Sequence, residues 1–341
     1  MKNNKCMIIA DVAQAHDGSL GFAHAFIDAV AKTGADAIKF QTHIAEEEST
    51  PGEPWRIKFS KQDDTRYDYW KRMEFTEEQW IGLKKHADDK GLIFLSSPFS
   101  LKAFNFLKSI GNNIWKVASG ETSNEPLLKA IYETNEKVLI STGMSTIEEI
   151  DNAVKSVKAY HDNFAVFQCT SKYPCPADSV GINNINLFRE RYQCEVGLSD
   201  HSGTIYPGLA ASTLGAEFLE VHITLSKDSY GPDVSSSLTP EELKALVDGV
   251  RFNELMHSHP VDKNTMAKEL GELRNIFQKS IVARNDLSAG EILTKDNITV
   301  KKPGTGIPAK HFEKLIGEKL KSNIAKDELL SLSHIEGDIT L

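Results

Sequence analysis

The chain alternates short apolar runs with amphipathic segments up to about residue 253. The apolar runs have the length and composition of buried β-strands, and the segments between them carry helix signals. We predict strands at Met7–Ala13, Ala37–Gln41, Leu92–Ser96, Ile114–Val117, Val138–Ile140, Phe164–Cys169, Glu195–Leu198 and Phe218–Ile223. We predict helices at Leu20–Lys32, Thr76–Lys90, Leu101–Ile110, Asn124–Ile131, Thr146–Ala159, Asn184–Arg191, Tyr206–Leu214 and Pro240–Asn253. Eight strands alternating with eight helices over about 250 residues is the count of a (β/α)8 TIM barrel.

An open, doubly wound sheet is the alternative fold for this alternation. A glycine-rich dinucleotide fingerprint after the first strand would favour it. The residues that follow Met7–Ala13 contain no such fingerprint. We therefore expect the closed barrel.

Two histidines stand near the ends of consecutive predicted strands. His201 follows Glu195–Leu198, and His222 lies in Phe218–Ile223, where it shares a face with Phe218 and Glu220. Strands joined by a helix are parallel neighbours, so their carboxyl ends meet on one rim. One histidine alone is usually a packed or solvent-facing side chain, but two at matching strand ends predict a shared metal ion.

The other strand ends are unusually polar for places where a strand simply stops. They carry Asp11, His16, Lys39, Gln41, Ser96, Ser97, Lys116, Ser119, Glu121, Ser141, Thr142, Gln168, Thr170, Ser199, Asp200, His201, Glu220 and His222. A lone lysine is more often a surface side chain, but Lys39 and Lys116 lie within or at the end of apolar strands. Lysines and hydroxyls suit a small phosphorylated carboxylic acid beside a divalent metal.

Composition narrows the function classes. The net charge of −9 argues against non-specific binding of nucleic acid. No apolar run reaches the roughly 18 residues of a membrane span, and the N-terminus leads into a strand rather than a signal-peptide core. Cys6, Cys169, Cys175 and Cys194 form no CxxC pair, which predicts reduced thiols. We expect a cytoplasmic protein.

Two further segments stand apart from the barrel pattern. The stretch 42–75 is too long for a plain turn and carries Trp55, Tyr67, Tyr69 and Trp70, which predicts a lid over the rim. After the barrel domain, residues 1–256, we expect a linker at 257–279 with little periodicity, in which Lys268–Phe277 could form a short helix. Residues 280–341 show short strands and glycine turns, which predict a small β-rich domain.

Six motifs of the barrel resemble those of the sialic acid synthase (N-acetylneuraminate synthase) family, and the tail resembles its antifreeze-like SAF domain. They occur in the family's order and cover the barrel from end to end. The motifs are Gly34-Ala35-Asp36-Ala37-Ile38-Lys39-Phe40-Gln41-Thr42, Phe94-Leu95-Ser96-Ser97-Pro98-Phe99, Lys116-Val117-Ala118-Ser119-Gly120-Glu121, Ser141-Thr142-Gly143-Met144, Gly197-Leu198-Ser199-Asp200-His201 and Gly231-Pro232-Asp233.

The resemblance implies condensation of phosphoenolpyruvate with an N-acetylated aldose such as N-acetylmannosamine, giving a 3-deoxy-2-ulosonic acid and phosphate. It implies metal binding by His201 and His222, with Mn²⁺ expected first and Mg²⁺ or Co²⁺ as alternatives. It implies catalytic roles for Asp11, Lys116 and Glu121. It implies substrate binding by Lys39, Gln41, Ser97, Phe99, Ser119, Ser141, Ser171, Tyr173, Ser199, Asp233 and Lys302. It also implies a homodimer in which the tail of one subunit caps the barrel of the other.

Four positions differ from the family pattern. Asp11 replaces a glutamate, Ala15 and Ser171 each replace an asparagine, and Lys302 replaces an arginine that would reach the acceptor's acyl group. Lysine lacks the planar fork of arginine, so acyl recognition is the property most affected.

Two other functions and another arrangement of the tail remain open on the sequence. The barrel could bind a sugar without turnover, since the four differences would permit loss of catalysis. It could instead condense phosphoenolpyruvate with a shorter phosphorylated aldose, although no second basic cluster for a phosphate is evident. The tail could cap its own barrel or hang free.

Overall fold

The computed structural model of the protein describes residues 5–337 and 339–340. The chain forms two units, the first ending at Ser258 and the second beginning at His259. Among the residues described, no helix combines the length and apolar character that a membrane span requires.

Eight parallel strands close into a barrel in the first unit, as predicted. Each strand pairs with the next along the chain, and β8 pairs with β1 to complete the ring. The strands are β1 Met7–Asp11, β2 Ala37–Thr42, β3 Ile93–Pro98, β4 Ile114–Val117, β5 Lys137–Ser141, β6 Phe164–Cys169, β7 Glu195–Asp200 and β8 Phe218–Ile223. A short strand, β9 at Ser237–Leu238, pairs in parallel with β8.

Helices follow the strands around the outside, and two more lie in the predicted lid. The helices of this unit are α1 Leu20–Ala31, α2 Ala45–Glu48, α3 Arg66–Met73, α4 Glu77–Asp89, α5 Leu101–Ser109, α6 Glu125–Tyr132, α7 Ile147–Lys158, α8 Asn184–Tyr192, α9 Tyr206–Thr213 and α10 Pro240–Ser258. The Thr146 hydroxyl accepts from the Glu149 amide, and the Glu149 carboxylate accepts from the Thr146 amide. These reciprocal bonds form a capping box, which begins the helix where the sequence predicts it.

Strand alternation divides the buried side chains between two layers. Ile9, Ala37 and Phe218 pack inside the barrel, whereas Ile8 and Leu219 pack outward among the helices. An inward-facing residue at the carboxyl end of a strand therefore points into the mouth of the barrel.

β1 ends two residues earlier than predicted. The Asp11 carboxylate accepts a hydrogen bond from the Ala13 amide at 3.0 Å, and Ala13 has φ of 45°. A short polar side chain that binds the backbone two residues on forms an Asx turn, which ends the strand at Asp11.

The second unit contains a two-stranded antiparallel sheet of β10 Ser280–Ala283 and β11 Ile298–Lys301. Isolated bridges such as Leu287 with Ile324 replace longer strands. Its own apolar core includes Ile281, Leu293 and Leu330. A short helix, α13 at Phe312–Leu315, completes the unit.

The stretch between barrel and sheet is more helical than its sequence pattern predicts. α10 runs to Ser258, and α11 Lys263–Glu269 and α12 Gly271–Phe277 follow. The Asp262 side chain caps α11 by accepting from the Thr265 amide at 2.7 Å. The short helix expected at Lys268–Phe277 is present as α12, whereas α11 was not predicted.

Candidate active site

A cavity of about 590 Å³ opens at the carboxyl ends of the barrel strands. Every site residue predicted in the barrel lines it: Asp11, Lys39, Gln41, Ser97, Phe99, Lys116, Ser119, Glu121, Ser141, Ser171, Tyr173, Ser199, His201, His222 and Asp233. Lys302 belongs to the second unit, where its ammonium lies 4.9 Å from the centre of the Phe277 ring.

The register of three strands builds the first part of the cavity floor. Asp11 on β1 stands opposite Lys39 on β2 and His222 on β8. The Lys39 ammonium lies 2.8 Å from the Asp11 carboxylate, and His222 Nδ1 lies 3.6 Å from it. All three side chains are buried. Strand pairing thus brings together residues that are far apart in the sequence.

A second lysine and carboxylate form the other part of the floor. The Lys116 ammonium lies 3.3 Å from Glu220 Oε1 and donates to the Ser141 hydroxyl. The Ser199 hydroxyl, opposite Glu220 in register, donates to the same Oε1 at 2.9 Å. Glu220 Oε2 is buried without a hydrogen-bond partner among the described residues. It is therefore free to accept from a ligand.

Asp11, Glu220 and Lys39 are held in their charged forms. Burial alone would raise the pKa of Asp11, but the Lys39 ammonium and His222 lower it. Burial would likewise raise the pKa of Glu220, but Lys116 and Lys39 lower it. The pKa of Lys39 is raised because Asp11 and Glu220 outweigh its burial. Two cations and two anions therefore balance one another across the floor.

A cradle of small polar groups borders the lysines. The Ser119 hydroxyl accepts from the Gly143 amide at 3.0 Å. A Cβ atom at Gly143 would overlap the Ser171 hydroxyl and lie 2.8 Å from both Ser119 Oγ and Cys169 Sγ. The absence of a side chain at Gly143 thus leaves space among hydroxyls that suit a phosphate group.

His201 lies beside His222 of the floor, with ring centres 5.2 Å apart. His201 Nδ1 is 2.9 Å from the Thr170 carbonyl oxygen. A carbonyl only accepts, so Nδ1 carries the proton and the Nε2 lone pair accepts a hydrogen bond from the Tyr173 hydroxyl. Nε2 lies 3.2 Å from the Tyr173 hydroxyl, whose ring stacks on His201.

The histidine pair fits a divalent metal ion. Burial, and then the neighbouring His222, lower the pKa of His201 to about 4, so the ring is neutral near pH 7 as a ligand must be. Nδ1 of His222 has no hydrogen-bond partner in the described structure. Within residues 5–337 and 339–340, no three His, Cys, Asp or Glu side chains are grouped to hold a metal. A bound ion would therefore take further ligands from water or substrate.

Glu121 differs from the floor carboxylates. Burial raises its pKa and nearby Glu48 adds to the effect, although a hydrogen bond from Asn124 at 2.7 Å opposes it. A carboxyl group with a raised pKa exchanges its proton nearer to neutral pH, which suits acid–base catalysis.

The stretch 42–75 covers one side of the cavity, as expected of a lid. His43 lies between the Trp70 and Phe99 rings, with centre distances of 4.2 and 4.4 Å. The Tyr230 hydroxyl donates to the Phe59 carbonyl and accepts from the Lys61 amide. Aromatic stacking and these hydrogen bonds hold the segment against the barrel.

Sequence reasoning missed several residues of the cavity wall. Gln14, His43, Glu48, Glu53 and Arg56 line it. The aromatic residues of the lid indicated that this segment packs against the rim of the barrel. No periodic pattern distinguished its inward-facing side chains from its outward-facing ones.

Some polar strand-end residues point away from the cavity. Ser96 bonds to Thr42, Gln168 donates to the Val180 carbonyl, and Asp200 accepts from Ser202. Each neighbours a residue that does line the cavity, as the two-residue repeat of a strand requires.

The NeuB family matches residues 26–261, and the SAF domain matches residues 278–336. The chain belongs to the NeuB family. It is 34% identical to N,N'-diacetyllegionaminic acid synthase of Campylobacter jejuni, over 96% of this chain and 99% of that protein. It is 32% identical to N-acetylneuraminate-9-phosphate synthase of Homo sapiens, over 95% of this chain and 91% of that protein. The chain is therefore an enzyme of the sialic acid synthase type.

Solved structures agree with this membership. N-acetylneuraminic acid (sialic acid) synthetase from Leptospira borgpetersenii, solved in complex with citrate, superposes with a TM-score of 0.70 at 30% identity. The match covers 80% of this chain and 92% of that chain. This NeuB-family chain thus shares its fold with a solved relative over most of its length.

Proposed function

We propose that this enzyme condenses phosphoenolpyruvate with a six-carbon aldose that carries one or two acetamido groups. The product is a nine-carbon, sialic-acid-like 3-deoxy-2-ulosonic acid, released with phosphate and destined for a surface glycan. The observation that carries this proposal is the convergence of two buried lysines, the hydroxyl cradle and the histidine pair in one cavity.

The floor and cradle suit phosphoenolpyruvate. Lys39 and Lys116 supply buried positive charge, and the Ser119 and Ser141 hydroxyls supply hydrogen bonds beside the space left by Gly143. Phosphate and carboxylate groups are bound in proteins by this combination of groups. Holding both ends of the molecule fixes C3 for attack, so orientation accounts for much of the rate.

His201 and His222 would hold a divalent metal, with Mn²⁺ expected first. Such an ion supplies Lewis-acid polarisation of an aldehyde oxygen. The residues of this chain then bring the reactants together: a bond forms between C3 of phosphoenolpyruvate and C1 of the aldose, water adds at C2, and phosphate leaves.

The pKa directions separate the two candidate acid–base groups. Asp11 stays ionised because Lys39 and His222 outweigh the effect of its burial on its pKa. Glu121 has a raised pKa, chiefly from burial, and so holds or releases a proton nearer to neutral pH. We assign Glu121 the proton of the water that adds at C2, and Asp11 the positioning of Lys39.

The aldose would occupy the part of the cavity beyond the histidine pair. We assign the aldose to Gln41, Phe99, Tyr173 and Asp233, all of which line the cavity. The other properties proposed are a cytoplasmic location and a homodimer in which the tail of one subunit, with Lys302, caps the barrel of the other.

The test is incubation with phosphoenolpyruvate, Mn²⁺ and a panel of six-carbon 2-acetamido aldoses, read by phosphate release and product mass. At least one aldose is expected to release phosphate with a product that contains all nine carbons. Binding of phosphoenolpyruvate without release from any aldose would instead favour a non-catalytic sugar-binding protein.

A chelator arm of the same assay tests the metal. Phosphate release is expected to stop in chelator-treated buffer and to return with added Mn²⁺. His201→Ala and His222→Ala are expected to remain inactive when Mn²⁺ is restored, with unchanged circular dichroism. Folded variants that stay fully active without metal would refute the metal proposal.

A further inference from the structure

Arg56 reaches from the lid into the cavity and touches two loops of the barrel. Its Nη2 lies 2.6 Å from Asp233 Oδ1, and its guanidinium carbon lies 4.2 Å from the centre of the Tyr173 ring. Tyr173 in turn stacks on His201 at 4.2 Å. Arg56 is therefore the outer layer of a stack that ends at the histidine pair.

The guanidinium retains unused hydrogen-bond donors. The bond to Asp233 uses Nη2 alone, and Nε and Nη1 have no hydrogen-bond partner among the described residues. The Arg56 side chain is 39% exposed, and the residue lines the cavity. A planar group with five N–H donors, fixed by one ion pair and one stacked ring, is prepared to bind an oxygen atom.

The position of Arg56 places that oxygen on the aldose. The proposed function assigns phosphoenolpyruvate to the floor that Lys39 and Lys116 form. The aldehyde carbon must then lie near the histidine pair, and the remainder of the aldose extends beyond it, toward Tyr173 and Arg56. An oxygen bound by Arg56 therefore belongs to a substituent of the aldose.

The charges around Arg56 argue against a phosphorylated acceptor. Arg56 is paired with Asp233, and Arg66, the other guanidinium among the described residues that line the cavity, is already 3.2 Å from Glu53. Because a carboxylate already neutralises each guanidinium, an uncharged ligand is favoured over a phosphate.

Apolar surfaces beside the guanidinium identify the substituent further. The Tyr173 ring lies against it, and Trp55, Ile57 and Phe59 of the lid also line the cavity. An acetamido group presents a carbonyl oxygen next to a methyl group. It therefore fits the Arg56 guanidinium and its apolar neighbours better than a hydroxyl group would.

We propose that Arg56 is an acceptor-recognition residue whose guanidinium donates hydrogen bonds to the acyl oxygen of an uncharged, N-acylated aldose. This proposal rests on the proposed function, because it takes the aldose to be the second substrate. It adds a residue of the lid to the specificity of the site.

Steady-state kinetics of Arg56→Gln and Arg56→Lys test the proposal. Arg56→Gln is expected to raise the KM for N-acetylmannosamine by about 10- to 100-fold, the effect of losing a charge-assisted hydrogen bond, with the KM for phosphoenolpyruvate unchanged. Arg56→Lys should fall between wild type and Arg56→Gln because it keeps the charge but not the fork. The control is Lys58→Gln, an exposed residue of the same lid outside the cavity, which should behave as wild type.

A comparison with mannose distinguishes recognition from a latch that only closes the lid. Wild type should prefer N-acetylmannosamine over mannose, and Arg56→Gln should reduce that preference by roughly tenfold or more. Equal losses on both sugars, or an equal rise in the KM for phosphoenolpyruvate, would show that Arg56 only holds the lid and would overturn the proposal.

A binding measurement separates this proposal from the proposed function. Calorimetric titration of N-acetylmannosamine without phosphoenolpyruvate requires no turnover. Weaker binding by Arg56→Gln than by Lys58→Gln supports recognition even if no aldose is condensed. Equal binding by both variants, or no binding by wild type, refutes the role of Arg56 in recognition. Failure of phosphate release alone refutes only the condensing activity.

Discussion

At the scale of single residues, buried charge is the main feature of the site. Asp11 and Lys39 face each other at 2.8 Å with 3% of each side chain exposed. A buried pair of this kind contributes little net stability, but removal of one partner leaves an uncompensated charge in the interior. The pair is thus a constraint on the fold as well as part of the site.

Lys39→Met should lower the free energy of unfolding by roughly 3–5 kcal/mol, because it leaves the Asp11 carboxylate buried beside no cation. Adding Asp11→Asn should restore a large part of that loss without restoring activity. Urea unfolding of both single variants and the double variant measures the coupling. If the decrease in the free energy of unfolding of the double variant equals the sum of the two single decreases, the ion pair has no role in stability.

His16 gives the protein a predictable response to acid. Burial, followed by nearby His43 and Arg72, lowers its pKa to about 3, against about 6.5 in an unfolded chain. Between these two pKa values the unfolded state binds a proton at His16 that the folded state does not. The contribution of His16 to the free energy of unfolding is therefore fully present above pH 6.5, and it falls by about 1.4 kcal/mol per pH unit as the pH decreases.

His16→Asn removes this proton while keeping an acceptor for the Gly18 amide, which lies 3.1 Å from His16 Nδ1. The variant's free energy of unfolding should therefore decrease less steeply than that of wild type between pH 6.5 and pH 4. Urea titrations across this range compare the two slopes. Identical slopes would mean that His16 is protonated in the folded state.

At the scale of elements, strand register accounts for most of what the sequence could predict. The two-residue repeat placed Glu220 and His222 on one face, and parallel pairing brought Asp11, Lys39 and His222 together. The lid follows no repeat, so Arg56, His43 and Glu48 could be identified as site residues only from the folded chain. Helix α11 was missed because a short helix needs few apolar positions, whereas α12 lies within the short helix expected at Lys268–Phe277.

Gly143, in the turn after β5, permits a further prediction. Gly143→Ala would place a methyl group against the Ser171 and Ser119 hydroxyls, in the space assigned to phosphate. The KM for phosphoenolpyruvate should rise by about tenfold or more, while the KM for the aldose changes little. Gly82→Ala is the control, because a Cβ atom there meets nothing within 4 Å.

At the scale of the whole molecule, the proposed exchange of tails makes each active site depend on two chains. The test mixes inactive His201→Ala subunits with subunits truncated at Ser280. After random exchange, half of the dimers would contain one intact barrel capped by one intact tail, so about a quarter of wild-type activity should return. Zero activity with exchange demonstrated by mass spectrometry would mean that each tail serves its own barrel or none.

The balanced floor also affects how fast phosphoenolpyruvate can arrive. Each floor lysine is already neutralised by a carboxylate, and the chain as a whole has a net charge of −9. An incoming anion therefore meets no attractive field at long range and is captured only on contact. Its association rate should stay well below the diffusion limit, and added salt should fail to slow it, unlike in enzymes that steer anions electrostatically.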